Sequence, residues 1–431
     1  MSKKASEAKS LYEFFEEFPD ESRRQFFDVE KGISKRGFFR GAGLAATSGL
    51  LGLAIPYFSN FPRGIVPAAF AAEDVLIGKE GLILLNDRPI NAETPAHLLD
   101  DAVTPTTRHF IRNNGLPPAS MDASDWTFSI DGFVENPFTM SIEELRSNFE
   151  VVSMVLAIEC GGNGRAFFDP PATGNQWTVG AVACSEWTGV RLADVLKLAG
   201  PKPSVVYTAH YGRDMHLSGK QGKLPISRGI PVSKAMTDNV LIAFAMNGSR
   251  MHEQNGLPLR LVVPGWPGSC SHKWLSRIQL RDQVHDGPKM TGTSYRVPRY
   301  PIAPGEKVPR EDFEIIERMP VKSLITFPES NSAVERVVEV RGHAWSGDRT
   351  VNAVDVSIDF GASWLPAELD EPVNAGAWQN WRRTVDFPQS GYFEVWARAT
   401  DSASEMQPFA INWNPKGYLN NTMHRVALRV A

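Results

Sequence analysis

Apolar and polar residues alternate along Trp126-Thr127-Phe128-Ser129-Ile130, the period-two pattern of a half-buried strand. Asp131-Gly132 follows as a turn, and Phe133-Val134 resumes the apolar run. Ser141 and Glu144 then stand three residues apart, the spacing of a capping box, which predicts a short helix over Ile142 to Arg146. Val151 to Ile158 is mostly apolar and reads as a buried strand. Leu192, Val195, Leu196 and Ala199 recur at helical spacing and predict an amphipathic helix from Thr188 to Leu198. A second apolar strand, Pro258 to Val263, ends in Pro264-Gly265-Trp266-Pro267-Gly268. The first apolar strand ends in Glu159-Cys160-Gly161-Gly162-Asn163-Gly164-Arg165. Glycine-rich loops at strand ends are places where backbone comes close to a ligand.

The texture changes near Met319. Val334 to Val340, Val351 to Ile358, Trp378 to Val385 and Tyr392 to Ala399 are short alternating runs separated by turn signals, which predicts a β-sandwich over residues 319–431. Glu73 to Met121 is largely polar, with Pro89, Pro95, Pro105, Pro117 and Pro118, and reads as loop. At the N-terminus, Ser34-Lys35-Arg36-Gly37-Phe38-Phe39-Arg40 precedes a mild apolar run from Gly41 to Phe58, and Ala69-Phe70-Ala71 offers a small-x-small cleavage site. This resembles a twin-arginine export signal with Lys35 in the first arginine's place. Gly43, Gly49, Gly52 and Pro56 make the run a poor permanent membrane span, and an uncleaved anchor is the alternative. Residues 1–72 are therefore assigned to an address, 73–318 to a first domain and 319–431 to a second.

Composition narrows the function. Hydrophobic residues make 42% and charged residues 22%, so the chain can bury a core. With 24 Phe, 11 Trp, 31 Pro and 35 Gly, it reads as β-rich with many turns. A formal net charge of -4 argues against a nucleic-acid partner, which needs a basic surface. The three cysteines, Cys160, Cys184 and Cys270, form no disulfide framework, no CxxC zinc pair and no CxxCH haem attachment.

Cys160 closes a strand and is followed by two glycines and Arg165. A thiolate there suits a soft or high-valent metal, nearby cationic charge would keep it deprotonated, and glycines would let a bulky cofactor press on the main chain. A buried, inert cysteine is the other reading. Arg112, Arg165 and Arg260 point to an oxyanion or a phosphate-bearing cofactor, because guanidinium stays charged and bonds oxyanions in pairs. Surface ion pairing is the alternative, less so for Arg260 inside an apolar strand. Trp177 and Tyr295 are candidates on residue type, with core packing as the alternative.

The run Ile158 to Arg165 resembles the cysteine loop of the sulfite oxidase family. Gly180-Ala181 through Val190, Gly256 to Gly265, Lys273-Trp274-Leu275, and Trp413-Asn414-Pro415-Lys416-Gly417-Tyr418 through His424-Arg425-Val426 are similar to later segments of that family, in order, from about residue 108 to the C-terminus. The resemblance implies an α+β molybdopterin-binding domain followed by an immunoglobulin-like β-sandwich dimerisation domain. It implies molybdenum and molybdopterin as cofactors, with Cys160 as metal ligand. Phe110, Ile111, Arg112, Asn113, Asn114, His210, Asn255, Arg260, Ser271, His272 and Lys273 would contact the pterin and its phosphate. Arg112, Arg165, Trp177, Tyr295 and Arg425 would surround the substrate anion. The implied activity is oxidation of sulfite to sulfate by an exported, periplasmic homodimer. A separate c-type cytochrome would accept the electrons, since this chain carries no haem. Alternatives are a sulfane dehydrogenase subunit acting on carrier-bound sulfur, a periplasmic reductase of the same fold, and a non-catalytic binding protein. The chain departs from the family at Asn114, where histidine is frequent, and at Gln254-Asn255-Gly256, where Asp-His-Gly is frequent. Both changes replace titratable groups by amides. Gly164 stands where the vertebrate and plant enzymes carry arginine.

Overall fold

The computed structural model describes residues 76–431, so the export-signal reading lies outside the described residues. Three short strands come first: β1 (Ile83–Asp87), β2 (Ile90–Glu93) and β3 (Ile111–Arg112), paired in that order. The stretch read as loop thus holds a small sheet. Its apolar residues Leu84, Ala92 and Ile111 are buried together with Leu76, but they lie too far apart in sequence to set up a period.

The next strands and helices are β4 (Thr127–Gly132), β5 (Phe138–Ser141), α1 (Ile142–Asn148), β6 (Val151–Glu159), β7 (Val182–Arg191), α2 (Leu192–Ala199), β8 (Tyr207–Gly212) and α3 (Val232–Ala235), followed by β9 (Leu241–Met246), β10 (Ser249–Arg250), β11 (Arg260–Val262) and β12 (Leu275–Arg281). They form two sheets, β10-β9-β7-β6 with β11 on β9, and β5-β4-β12-β8. Phe128 and Ile130 of β4, Val195 and Leu196 of α2, Ile242 of β9, Leu261 of β11 and Ile278 of β12 share one core.

The capping box at α1 is present. The Ser141 amide donates to Glu144 Oε2 at 2.8 Å, and the Glu144 amide donates to Ser141 Oγ at 3.2 Å. Such a cap stabilises a helix start by about 1 kcal/mol. The helix expected from Thr188 starts only at Leu192. Thr188 to Arg191 instead pair with Leu241 to Ala245 of β9, and sheet pairing overrides the local helical spacing. β6 is the edge strand of its sheet and is fully buried only over its last four residues.

A hairpin of β13 (Arg296–Pro298) and β14 (Phe313–Ile315) leads to the second domain. There β15 (Val321–Phe327), β16 (Ala333–Val334), β17 (Val337–Ser346), β18 (Val351–Ser357), β19 (Leu365–Pro366), β20 (Glu368–Leu369), β21 (Gln379–Asp386), β22 (Gly391–Asp401) and β23 (His424–Val430) form a β-sandwich. Its sheets are β15-β17-β21-β20 and β16-β23-β22-β18-β19. Val340 and Trp381 from one sheet pack on Val356, Val395 and Leu428 from the other, as the period-two alternation requires. Among the described residues no helix is long and apolar enough to cross a membrane.

Candidate active site around Cys160

The Cys160 backbone N–H continues the β6–β7 ladder onto Ala181 O at 2.9 Å, and the chain then turns, with Asn163 N–H returning to Cys160 O at 2.9 Å. Gly164 has φ +88°, and a Cβ there would lie 2.5 Å from Asn420 of the second domain, so both conformation and space call for glycine. Before the cysteine, Glu159 is buried. Its carboxylate accepts from Asn163 Nδ2 at 3.0 Å, from Trp345 Nε1 at 2.9 Å and from Lys322 Nζ at 2.5 Å. Trp345 and Lys322 belong to the second domain, so the cysteine loop is held from both sides. All three cysteines are free and buried. Cys184 packs with Leu99, Trp345 and Trp378, and burial pushes its thiol up to about 12.

Cys160 lies where two cavities meet. Arg112, Ser271 and Lys273 line both, with His109, Phe110, Asn255 and Arg260 on one side and Asn114, Asp214, Ser269, His272, Trp274 and Tyr295 on the other. Burial lowers Arg260 to about 9 and drives Lys273 well below its ordinary value, Arg260 adding to the effect. Lys79, which bonds Asn255 Oδ1, falls to about 7 through burial. Arg112 goes the other way. Burial lowers it, but Tyr295, Cys160 and Tyr418 outweigh that and raise it. Burial keeps His109 and His210 well below the ordinary imidazole range and His272 near about 3, so these rings are neutral.

The cations have one carboxylate beside them in the lining, Asp214. Each unpaired buried cation costs several kcal/mol, so the site is complementary to a polyanion. Asp214 Oδ1, Ser269 Oγ and Trp274 Nε1 are buried without a partner, and all three residues line the same cavity. Unpartnered donors and an acceptor beside clustered cations fit a polar heterocycle that carries a phosphate.

Burial raises the Asp214 carboxyl to about 6. In the unfolded chain an aspartate titrates near about 4. Below that pH the group is protonated in both states and its burial is tolerated. As pH rises through about 6 the folded chain must bury a carboxylate, and that stability is lost. Asp214→Asn is therefore expected to stabilise the cofactor-free chain at pH 8 by about 2 kcal/mol and to change nothing at pH 4, as thermal unfolding at the two pH values will show.

The structure gathers most of the residues singled out in the sequence. Arg112 extends toward Cys160, and its Nη2 reaches Asn114 Oδ1 at 2.9 Å and the Tyr295 hydroxyl at 3.4 Å. The Lys273 ammonium bonds Asn113 Oδ1 and reaches Gln254 O at 2.7 Å, while Arg260 donates to Asn255 O at 2.6 Å and Ser271 O at 3.0 Å. Arg165 is buried, donates to Lys416 O and Asn175 O at 2.9 Å each, and lies 5.0 Å from the Tyr418 ring. Trp177 is fully buried, edge-on to Phe110, with its Nε1 unpartnered. Ile111 turns its side chain into the small N-terminal core. His210 sits behind the cavity wall, its Nε2 2.8 Å from Thr208 Oγ1. Arg425 is not brought to the cavities of its own chain. On β23 the even-numbered residues face the core, so Arg425 faces solvent, 3.9 Å from Glu394 and over Trp396.

Lys79, His109, Asp214 and Tyr418 were not singled out in the sequence. Asp214 carried a signal, since it follows a strand that ends in glycine. His109 directly precedes the Phe110 to Asn114 stretch without a signal of its own, and Lys79 and Tyr418 reach the site from loops far away in sequence.

A buried thiol where two cation-lined cavities meet, with a β-sandwich packed against its loop, fits a molybdopterin oxidoreductase. Residues 114–289 match the oxidoreductase molybdopterin binding domain and residues 313–431 the Mo-co oxidoreductase dimerisation domain. The chain is similar to sulfite oxidase of Gallus gallus, 32% identical over 380 residues that cover 83% of this chain and 81% of that protein. It is also 32% identical to mitochondrial sulfite oxidase of Homo sapiens, over 80% of this chain and 65% of that longer protein. Among solved structures, the sulfane dehydrogenase SoxCD from Paracoccus pantotrophus superposes with a TM-score of 0.66 at 25% identity, over 87% of this chain and 95% of that one. The chain belongs to the sulfite oxidase family, and its cofactor is a molybdenum-bearing molybdopterin.

Proposed function

We propose that the protein oxidises sulfite to sulfate, as an exported homodimer that passes electrons singly to a separate c-type cytochrome. The observation that carries the reading is the Arg112 guanidinium, which lies between the Cys160 thiol and the Tyr295 and Asn114 side chains. A fixed cation flanked by a hydroxyl and an amide is a receptor for a small oxyanion. Cys160 would ligate the metal. Arg260, Lys273 and Lys79 would neutralise the cofactor's phosphate, while Asp214, Ser269 and Trp274 would meet the pterin's polar edges. When bound, the cofactor supplies the two-electron redox chemistry. The protein concentrates and orients the anion and excludes bulk water from a buried site. In the net reaction one water oxygen joins sulfite, and two electrons and two protons leave. Export and dimer assembly are supported by the Lys35-Arg36 segment and by the dimerisation domain.

Steady-state assays of the metal-loaded protein with sulfite and cytochrome c or ferricyanide test this directly. Arg112→Gln should raise KM for sulfite about 10- to 100-fold, the loss of one charge-assisted hydrogen bond. No sulfite-dependent reduction by metal-loaded protein would remove the assignment. A sulfane dehydrogenase acting on carrier-bound sulfur is the second reading, favoured by the near-complete coverage of SoxCD. Activity on carrier-bound sulfur without activity on free sulfite would favour it.

A further inference from the structure

Tyr295 has φ +53°, a left-handed conformation that aromatic residues seldom adopt and that persists only where surrounding structure enforces it. Its hydroxyl donates to Asn114 Oδ1 at 3.2 Å and lies 3.4 Å from Arg112 Nη2, so the unusual backbone aims this group at the anion site. Tyr418 of the second domain packs against it. The two rings stack with centroids 5.7 Å apart at 24°. Tyr418 is itself anchored to the cysteine loop. Its backbone is clamped by Asn414, whose Nδ2 donates to Tyr418 O at 2.8 Å and whose Oδ1 accepts from Tyr418 N–H at 3.1 Å. The flanking residues grip the loop, with Leu419 N–H on Gly161 O at 2.9 Å and Asn420 Nδ2 on Gly164 O at 2.8 Å. The Arg165 guanidinium lies 5.0 Å from the Tyr418 ring, so the ring is braced between Arg165 and Tyr295.

We propose that Tyr418 is a positioning residue of the substrate site: its ring, delivered by the second domain, holds Tyr295 in the left-handed conformation and so keeps the Tyr295 hydroxyl beside Arg112 and Asn114. The proposal rests on the reading of Arg112 and Tyr295 as contacts to a sulfur oxyanion. The Tyr418 hydroxyl also bonds the Tyr295 main chain, so Tyr418→Phe should lose part of the effect and Tyr418→Ala all of it. Because Tyr418 acts through the Tyr295 hydroxyl, the loss must vanish where that hydroxyl is already gone.

The test uses the full-length, metal-loaded protein and inorganic sulfate as probe, with binding followed by calorimetry and sulfite oxidation by steady-state kinetics. Tyr418→Ala should weaken sulfate about tenfold, in line with the loss of one hydrogen bond to a charged ligand. KM for sulfite should rise in step with kcat little changed, and Tyr418→Phe should fall between wild type and Tyr418→Ala. In a Tyr295→Phe background, Tyr418→Ala should add nothing, the non-additivity expected of residues in one contact. Tyr418→Leu, which keeps apolar volume without a ring plane, replaces Tyr418→Ala if that variant fails to fold. Additive losses, or Tyr418→Phe as damaging as Tyr418→Ala, overturn the proposal. A crystal structure of Tyr418→Ala should show the Tyr295 hydroxyl displaced from Asn114. A hydroxyl still in place overturns the proposal whatever the substrate is. Wild-type protein that neither binds sulfate nor oxidises sulfite overturns the functional reading instead, and the crystal structure then decides the positioning role by itself.

Discussion

Cys160→Ser is expected to yield a folded protein with little molybdenum and with sulfite turnover reduced at least about a thousandfold, a loss of roughly 4 kcal/mol or more in transition-state stabilisation. The exchange removes one sulfur and little volume, so the β6 end and the Ala181 pairing remain. What is lost is the soft, readily ionised donor. A serine hydroxyl stays protonated at neutral pH and is a weaker donor to a metal than a thiolate. The described residues contain no group of three or more His, Cys, Asp or Glu side chains that could hold a metal instead. Cys184→Ser provides the contrast. That thiol is buried in an apolar cluster away from the cavities, so its replacement should cost about 1–3 kcal/mol of stability through an ill-matched buried hydroxyl and leave metal content unchanged. Metal analysis with parallel thermal unfolding separates the two outcomes. Normal turnover by Cys160→Ser would end the ligand assignment.

Legibility in the sequence followed the range of the interactions involved. The α1 cap was readable because Ser141 and Glu144 satisfy each other locally. The cysteine loop was readable because a strand end, two glycines and a thiol lie within a few residues. The sandwich strands β18, β21 and β22 were readable because one face of each is buried and the period is two. Local spacing failed where long-range pairing decides. Thr188 to Arg191 carry part of a helical pattern yet serve as strand, since β9 lies alongside. In the same way Lys79 and Tyr418 reach the site only through the fold. The neighbours of Arg425 match the tail segment in sequence, and the strand's alternation turns Arg425 to solvent in its own chain. The part of the tail that touches the site is the loop from Asn414 to Asn420.

The contact between Lys322 and Glu159 extends that dependence on the second domain to the Cys160 loop itself. The two side chains are 8% and 3% exposed, and the ammonium lies 2.5 Å from the carboxylate one residue before Cys160. Removing one partner of a buried pair leaves an uncompensated charge, which costs about 3–5 kcal/mol, more than the pair contributes when intact. Lys322→Met is thus expected to lower Tm by roughly 10 °C, taking about 2–4 °C per kcal/mol for a domain of this size. Among the described residues, Asn163 Nδ2 and Trp345 Nε1 would be left on the carboxylate, and it would draw toward water, carrying the cysteine loop with it. Metal retention should therefore fall along with stability. The double variant Lys322→Met/Glu159→Gln removes both charges, while the amide oxygen it introduces beside Cys160 can still accept from Trp345 Nε1. It should recover most of the lost Tm and of the metal content. A single variant with unchanged Tm would mean that the pair adds nothing to the interface. Recovery of Tm without recovery of metal would mean that the Glu159 charge itself, and not only its anchoring of the loop, is needed beside Cys160.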